Sequence, residues 1–323
     1  MKILMVFPVK EEHLTAWRAQ QHESVTALGV EVVKYYFVDR KSIFRLIKEG
    51  LNIRKIALLR EVELIHVEWG SSCAFFTTLF SPVPVVVKFY GSDLYGNYNE
   101  RGKKTVSGRI SVLFSHLSAL LAKRCIAVSN ELKKKIMKPL RYKCHVVPLG
   151  VDINRFFPMS RIVARKKLKW EENRPVVIYF CGVAWVKDPR LAFRVIEIAK
   201  TAMPEIEFHV IKDQPFEEMF FYYNGADAML MTSIHEGSNS SLKEAMACNL
   251  PIVSTDVGDA KERLNNVATS FVCSRNPHEL AEKLCVILKE CRRSNGREFV
   301  REVGLENVTE RIIKIYSQIL AKN

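Results

Sequence analysis

Short apolar, β-rich runs alternate along the whole chain with stretches of helical periodicity. That alternation is the strongest constraint on the fold. A parallel strand is reached only by a crossover lying over the sheet, so strands that alternate with helices imply parallel sheets covered on both faces. In the first half the apolar runs fall at residues 3–7, 30–38, 64–67, 83–89, 125–128 and 145–148, with helical patterns such as 14–28 and 112–123 between them. The second half repeats the scheme, with runs at 176–180, 206–211, 228–231, 252–255 and 271–273 and helical patterns at 190–201, 240–247 and 277–291. Two such halves in 323 residues predict an α/β protein of two Rossmann-like domains, parallel sheets flanked by helices.

Pro148, Gly150, Pro158 and the Asp152-x-Asn154 pair interrupt any regular element between the halves, so residues 146–158 read as a linker. The expected division is an N-terminal domain over 1–155, a C-terminal domain over 156–305 and a final helix, 306–323. In that helix Val308, Ile312, Ile315, Tyr316 and Ile319 share one face. A ligand of such a pair is expected at the carboxyl ends of the strands, in a cleft between the domains. The opening Met1 to Pro8 is too short an apolar run for a secretion signal and lacks a small-residue cleavage site, so it reads as the first strand.

No apolar run approaches the roughly 18 to 20 residues that cross a bilayer, so no integral membrane protein is expected. The eight cysteines are scattered, without zinc or disulfide spacing, which fits reduced thiols and a cytoplasmic protein. The formal net charge is +14 and is unevenly spread: up to Arg155 there are 25 Lys and Arg against 13 Asp and Glu, and beyond it 24 against 22. Lys133, Lys134, Lys135, Lys138, Arg141 and Lys143 form the densest cluster; Arg101, Lys103, Lys104 and Arg109 form a second. Such an excess draws phosphate-rich surfaces, at roughly 1 kcal/mol per basic residue near a membrane. The expected partner is an anionic membrane surface touched peripherally by the first domain, the alternative being a solvated basic surface. No specific nucleic acid is expected.

The most informative stretch follows the run 228–231. A loop of small hydroxyl and amide residues leads into a helix that opens on Ser238, Asn239, Ser240 and Ser241, with Glu236 before it and Glu244 inside it. Capping side chains and first-turn amides, with that of Gly237, make a seat for an anionic ligand. Carboxylates beside such a seat accept hydrogen bonds from hydroxyl groups, as sugars and ribose offer.

Glu236, seven residues and Glu244 closely resemble the signature of retaining glycosyltransferases of family 4. The resemblance implies the GT-B arrangement of two Rossmann-like domains. It implies that Glu236 lies against the donor sugar, Glu244 reaches the ribose hydroxyls, and the amides between them hold the diphosphate. The linker Pro148-Leu149-Gly150-Val151-Asp152 with Phe156-Phe157-Pro158 is similar to the family's interdomain segment. After the run 176–180, Gly182 and Lys187 match residues that contact the diphosphate. Val183 stands where the family has an arginine, and Arg190, seven positions on, could take its place.

Tyr90-Gly91-Ser92-Asp93 resembles the acceptor-side segment of the family, with Tyr90 where histidine is usual; Tyr90, Gly91 and Asp93 are the acceptor-side candidates. Tyrosine is a poor base at neutral pH, so no catalytic base is named. No glycine pair follows the first strand. Tyr222-Tyr223-Asn224 and Ala226-Asp227 match members that build surface polysaccharides. His66 resembles a structural family histidine, and His235 stands beside Glu236. The expected function is transfer of a sugar from a nucleotide-sugar to a glycan or lipid-linked acceptor, with no metal and no cofactor. The alternatives are an epimerase or hydrolase of sugar-nucleotides, or a decayed basic binding module.

Overall fold

The alternation folds as the pattern requires: every strand in both sheets is parallel and the central strands are buried on both sides. A computed structural model describes residues 1–321 except 14, 41, 100, 101 and 183. Arg101 and Val183 therefore lie outside the described residues. The chain divides into two compact units, Met1–Gly150 with Leu305–Asn323, and Val151–Gly304.

The first unit is built on β1 (Lys2–Phe7), β2 (Glu31–Tyr36), β3 (Leu64–Val67), β4 (Val85–Phe89), β5 (Arg124–Ala127) and β6 (Cys144–Val146). They lie in the order β2-β1-β3-β4-β5-β6. Met5 pairs with His66 and His66 with Val86, so the central strands are in tight register. The strand expected over 83–89 begins only at Val85, because Pro84 has no amide to donate to the ladder. The helix expected over 112–123 begins earlier, at Val106, where the Thr105 hydroxyl accepts from the Gly108 amide at 3.0 Å.

The helix Leu305–Leu320 belongs to this unit and packs on the helix Ala16–Ala27. Its face of Val308, Ile312, Ile315, Tyr316 and Ile319 is buried, and the Tyr316 hydroxyl bonds His66 Nδ1 in the sheet beneath. At its start, a Cβ on Gly150 would lie 2.9 Å from the Leu305 Cα, so that close approach needs glycine.

The second unit is built on β7 (Val176–Phe180), β8 (Glu207–Ile211), β9 (Ala228–Met231), β10 (Ile252–Thr255) and β11 (Phe271–Cys273), in the order β11-β10-β9-β7-β8. The order reverses between β7 and β9, and the crevice outside the carboxyl ends of those two strands is where such a sheet takes a ligand. The loops carrying Lys187 and Glu236 leave from those ends. Between β8 and β9 a single turn, Phe216–Glu218, and a short helix, Met219–Gly225, make the crossover. Among the described residues no helix is long and apolar enough to cross a membrane, and all eight cysteines are unpaired thiols.

Candidate functional site

Two loops of the second unit are stitched together before either side chain is placed. The Thr232 hydroxyl, just after β9, donates toward the carbonyls of Lys187 and Asp188 at 2.8 and 3.0 Å. The Ile234 amide donates to the Val186 carbonyl at 2.8 Å, and Tyr179 in β7 donates to the Lys187 carbonyl at 3.0 Å. Lys187 is held so that its Nζ donates to Glu236 Oε1 at 2.7 Å, and the Ser233 hydroxyl donates to the same oxygen at 2.8 Å. Both charged side chains stay partly exposed. With Tyr179, Phe180, Ser233, Asn239 and Ser241, Lys187 lines a small pocket at the mouth of this turn.

Asn239 caps the helix Ser240–Ala247, its side-chain oxygen accepting from the Leu242 amide at 3.1 Å. The amides of a helix's first turn point along its axis and favour an anion there. Gly237 is buried, and Ser240 and Ser241 are partly exposed. Ser238 has a different part from the one its sequence position suggests. Its hydroxyl donates to Asp259 Oδ2 at 2.8 Å and accepts from Lys243 Nζ at 2.6 Å, so it anchors the turn from behind. His235 packs its ring 5.9 Å from that of Trp185. Gly182 is exposed, and a Cβ there would meet only Lys187 Cε, at 3.7 Å. Arg190 is exposed in the first turn of the helix Pro189–Ala202.

Glu244 is buried, and the Tyr223 hydroxyl donates to its Oε2 at 2.6 Å. Burial pushes its carboxyl up to about 7; the hydrogen bond from Tyr223 and the charge of Lys243 only moderate that rise. A hydroxyl-bearing ligand that reaches Glu244 thus finds an acceptor whose charge depends on pH near neutrality.

Four supporting residues were not recognised from sequence. Lys243 and Asp259 form a buried ion pair at 2.9 Å directly behind Ser238. Gly258 has φ +61, and a Cβ on it would lie 2.9 Å from the Gly237 carbonyl oxygen and 3.1 Å from the Glu236 Cβ. Arg275 donates to the Thr232 and Ser233 carbonyls, both at 2.9 Å, and pairs with Asp188.

In the first unit the acceptor-side candidates follow β4. Asp93 is fully buried, and its carboxylate accepts from the amides of Gly91 at 2.8 Å, Tyr90 at 3.0 Å and Gly70 at 3.2 Å. It holds the turn and has no exposed edge to offer an acceptor. The Tyr90 hydroxyl donates to Glu68, itself 3.4 Å from His66 Nε2. Arg18 lies over the rings of Trp69 and Tyr90, 4.9 and 5.2 Å from their centres. Buried Lys88, pushed down to about 8 by loss of water, donates to Gln21 at 2.5 Å. Among the described residues no three His, Cys, Asp or Glu side chains are grouped so as to hold a metal ion.

Two families match the chain. Glycosyltransferase Family 4 covers residues 12–155 and Glycosyl transferases group 1 covers residues 161–298. The chain is 22% identical over 330 residues to the N,N'-diacetylbacillosaminyl-diphospho-undecaprenol alpha-1,3-N-acetylgalactosaminyltransferase of Campylobacter jejuni, covering 91% of this chain and 87% of that one. It is 22% identical over 247 residues to the putative teichuronic acid biosynthesis glycosyltransferase TuaC of Bacillus subtilis, covering 69% of this chain but only 60% of TuaC. Among solved structures, Anabaena HepE in complex with UDP superposes with a TM-score of 0.76 at 15% identity, over 98% of this chain and 100% of HepE.

Proposed function

The chain is a glycosyltransferase, a family 4 domain followed by a group 1 domain, and from that premise we propose that it moves a sugar from a nucleotide-sugar to a glycan or lipid-linked acceptor with retention at the anomeric carbon. The observation that carries the reading is the Lys187–Glu236 pair, 2.7 Å apart at the mouth of the helix that Asn239 caps. A lysine held there can turn from Glu236 to a diphosphate, and Glu236 then faces the sugar hydroxyls. HepE is similar in fold and was solved with UDP; the Campylobacter relative's name describes an acceptor on undecaprenyl diphosphate. Both support the choice of donor and acceptor class.

In the proposed step the bond from the anomeric carbon to the β-phosphate oxygen breaks and a bond to the acceptor oxygen forms on the same face. The acceptor's proton passes to the departing phosphate, so no side-chain base is required. Lys187 and the first-turn amides carry the leaving group's charge, and the reaction is read as metal-independent. Glu244 accepts hydrogen bonds from the ribose hydroxyls. The basic first unit is read as resting on an anionic membrane.

The test is thermal shift and titration calorimetry against a panel of nucleotide-sugars. A donor at a hundredfold excess over its Kd raises stability by about 2.7 kcal/mol, and Glu244→Ala abolishes that shift. Full donor affinity in Glu244→Ala, or a pyrophosphate bound away from the Asn239 cap, overturns the reading.

A further inference from the structure

The helix Val106–Leu121 turns its apolar side to solvent. Val106, Ile110, Leu113, Leu120 and Leu121 recur at helical spacing and are 73%, 49%, 57%, 56% and 47% exposed. The opposite face, with Gly108, Ser115, Ser118 and Ala119, is the buried one. A surface helix ordinarily does the reverse, and a continuous apolar seam left in water marks an interaction surface. The segment that carries it is cationic: residues 102–130 hold five Lys or Arg and no Asp or Glu. Arg109 within the helix, and Lys103 and Lys123 beyond its two ends, are exposed. At the C-terminal end Leu121 borders a groove also lined by Lys123, Arg124 and Tyr142, whose ring is 83% exposed.

We propose that this helix lies on an anionic membrane surface, its apolar seam entering the headgroup boundary while the flanking cations meet lipid phosphates. Charge decides the occupant. A second copy docked through the same face would bring like charges together, and an uncharged apolar partner would leave the cations unmatched. The buried side of the helix holds the acceptor-side turn directly. The Ser115 hydroxyl donates to the Asp93 carbonyl at 2.7 Å and accepts from the Ser71 amide at 2.8 Å. A helix resting on lipid therefore stands one layer of side chains from the Tyr90–Asp93 turn. The inference deepens the reading of a lipid-linked acceptor and rests on it.

Flotation of the full chain with vesicles tests it. The protein should bind phosphatidylglycerol-containing vesicles, ignore pure phosphatidylcholine vesicles, and bind less as salt rises. Ile110→Ser with Leu113→Ser should weaken binding by about tenfold or more, with the fold and donor affinity retained because both side chains are about half exposed and lie on the face away from the buried Ser115. Lys103→Ala with Arg109→Ala should weaken it about fivefold per residue. Wild-type protein that ignores anionic vesicles, or a serine variant that binds them as the wild type does, overturns the proposal. So does a wild-type dimer that the serine variant converts to monomer. Donor affinity is measured without vesicles, so its absence would strike the transferase reading and leave this one to be judged by flotation alone.

Discussion

Lys187 Nζ and Glu236 Oε1 stand 2.7 Å apart although they are 49 positions apart in sequence, Lys187 ending the one-turn helix Ala184–Lys187 after β7 and Glu236 on the loop after β9. The pair fixes a cation and a carboxylate in advance; in the proposed reaction the first meets the leaving phosphate and the second the sugar. Preorganised charge of this kind needs no rearrangement when the transition state forms.

Lys187→Ala should therefore lower kcat/KM by about a hundred- to a thousandfold in steady-state kinetics. Both members of the pair are partly exposed, so the melting free energy should move by less than about 1 kcal/mol. A large loss of stability with little loss of rate would show the pair to be structural.

Glu244 gives two pH effects of opposite sense. Its carboxyl is raised by burial from 4.5 to about 7 in the folded chain, so its favourable contribution is full below about 4.5 and is lost as pH rises through 7. Relative to Glu244→Gln, the wild type should lose stability on the order of 3 kcal/mol across that window, read by denaturant titration at several pH values. Donor affinity should run the other way. Only the carboxylate accepts two ribose hydroxyls, so Kd should rise by up to about tenfold per pH unit below 7 in the wild type and stay flat in the glutamine variant.

Gly258→Ala should be costly where Gly182→Ala is not. The first places a Cβ 2.9 Å from the Gly237 carbonyl at a left-handed φ of +61, costing about 1 to 3 kcal/mol and displacing the Glu236 turn. The second meets only ordinary contact with Lys187 and should stay within about 0.5 kcal/mol. Thermal melts of the two variants check the contrast.

Asp259→Ala removes the counter-charge of Lys243, whose side chain has no exposure, and leaves an ammonium buried in the core. The cost should be about 3 to 5 kcal/mol, and the double variant Lys243→Met, Asp259→Leu should recover much of it. Donor titration on the double variant then reports what the loss of the Ser238 anchor does to the seat.

The strands were legible because both sheets are parallel and their central strands are buried on two faces, so the core strands are short, mostly apolar runs ended by polar loops. The runs at 64–67, 176–180, 228–231, 252–255 and 271–273 have the limits read from sequence. The start of the helix Val106–Leu121 was hidden for the opposite reason: its apolar residues face solvent, and the periodicity of its buried side is written in glycine, serine and alanine. Lys187, Glu236 and Glu244 stood out because glutamate spacing and loop composition are local. Arg275 with Asp188, 87 residues away, and Lys243 with Asp259 left no local trace, since sheet order alone brings them together. Asp93 was read as an acceptor-side candidate and is instead enclosed by three amides, a placement that depends on Gly70, 23 residues away at the start of the helix Ser71–Phe80.

The first unit is discontinuous, closed by Leu305–Leu320 after the whole of Val151–Gly304 has intervened. During synthesis the six strands of the first sheet emerge early, yet the helix that covers His66 emerges only after the second unit has been made. The later unit, continuous in sequence, can finish folding on the ribosome while the earlier one waits with an open flank. A nascent chain stalled before residue 305 would thus carry a completed second unit and a first unit still open to proteases.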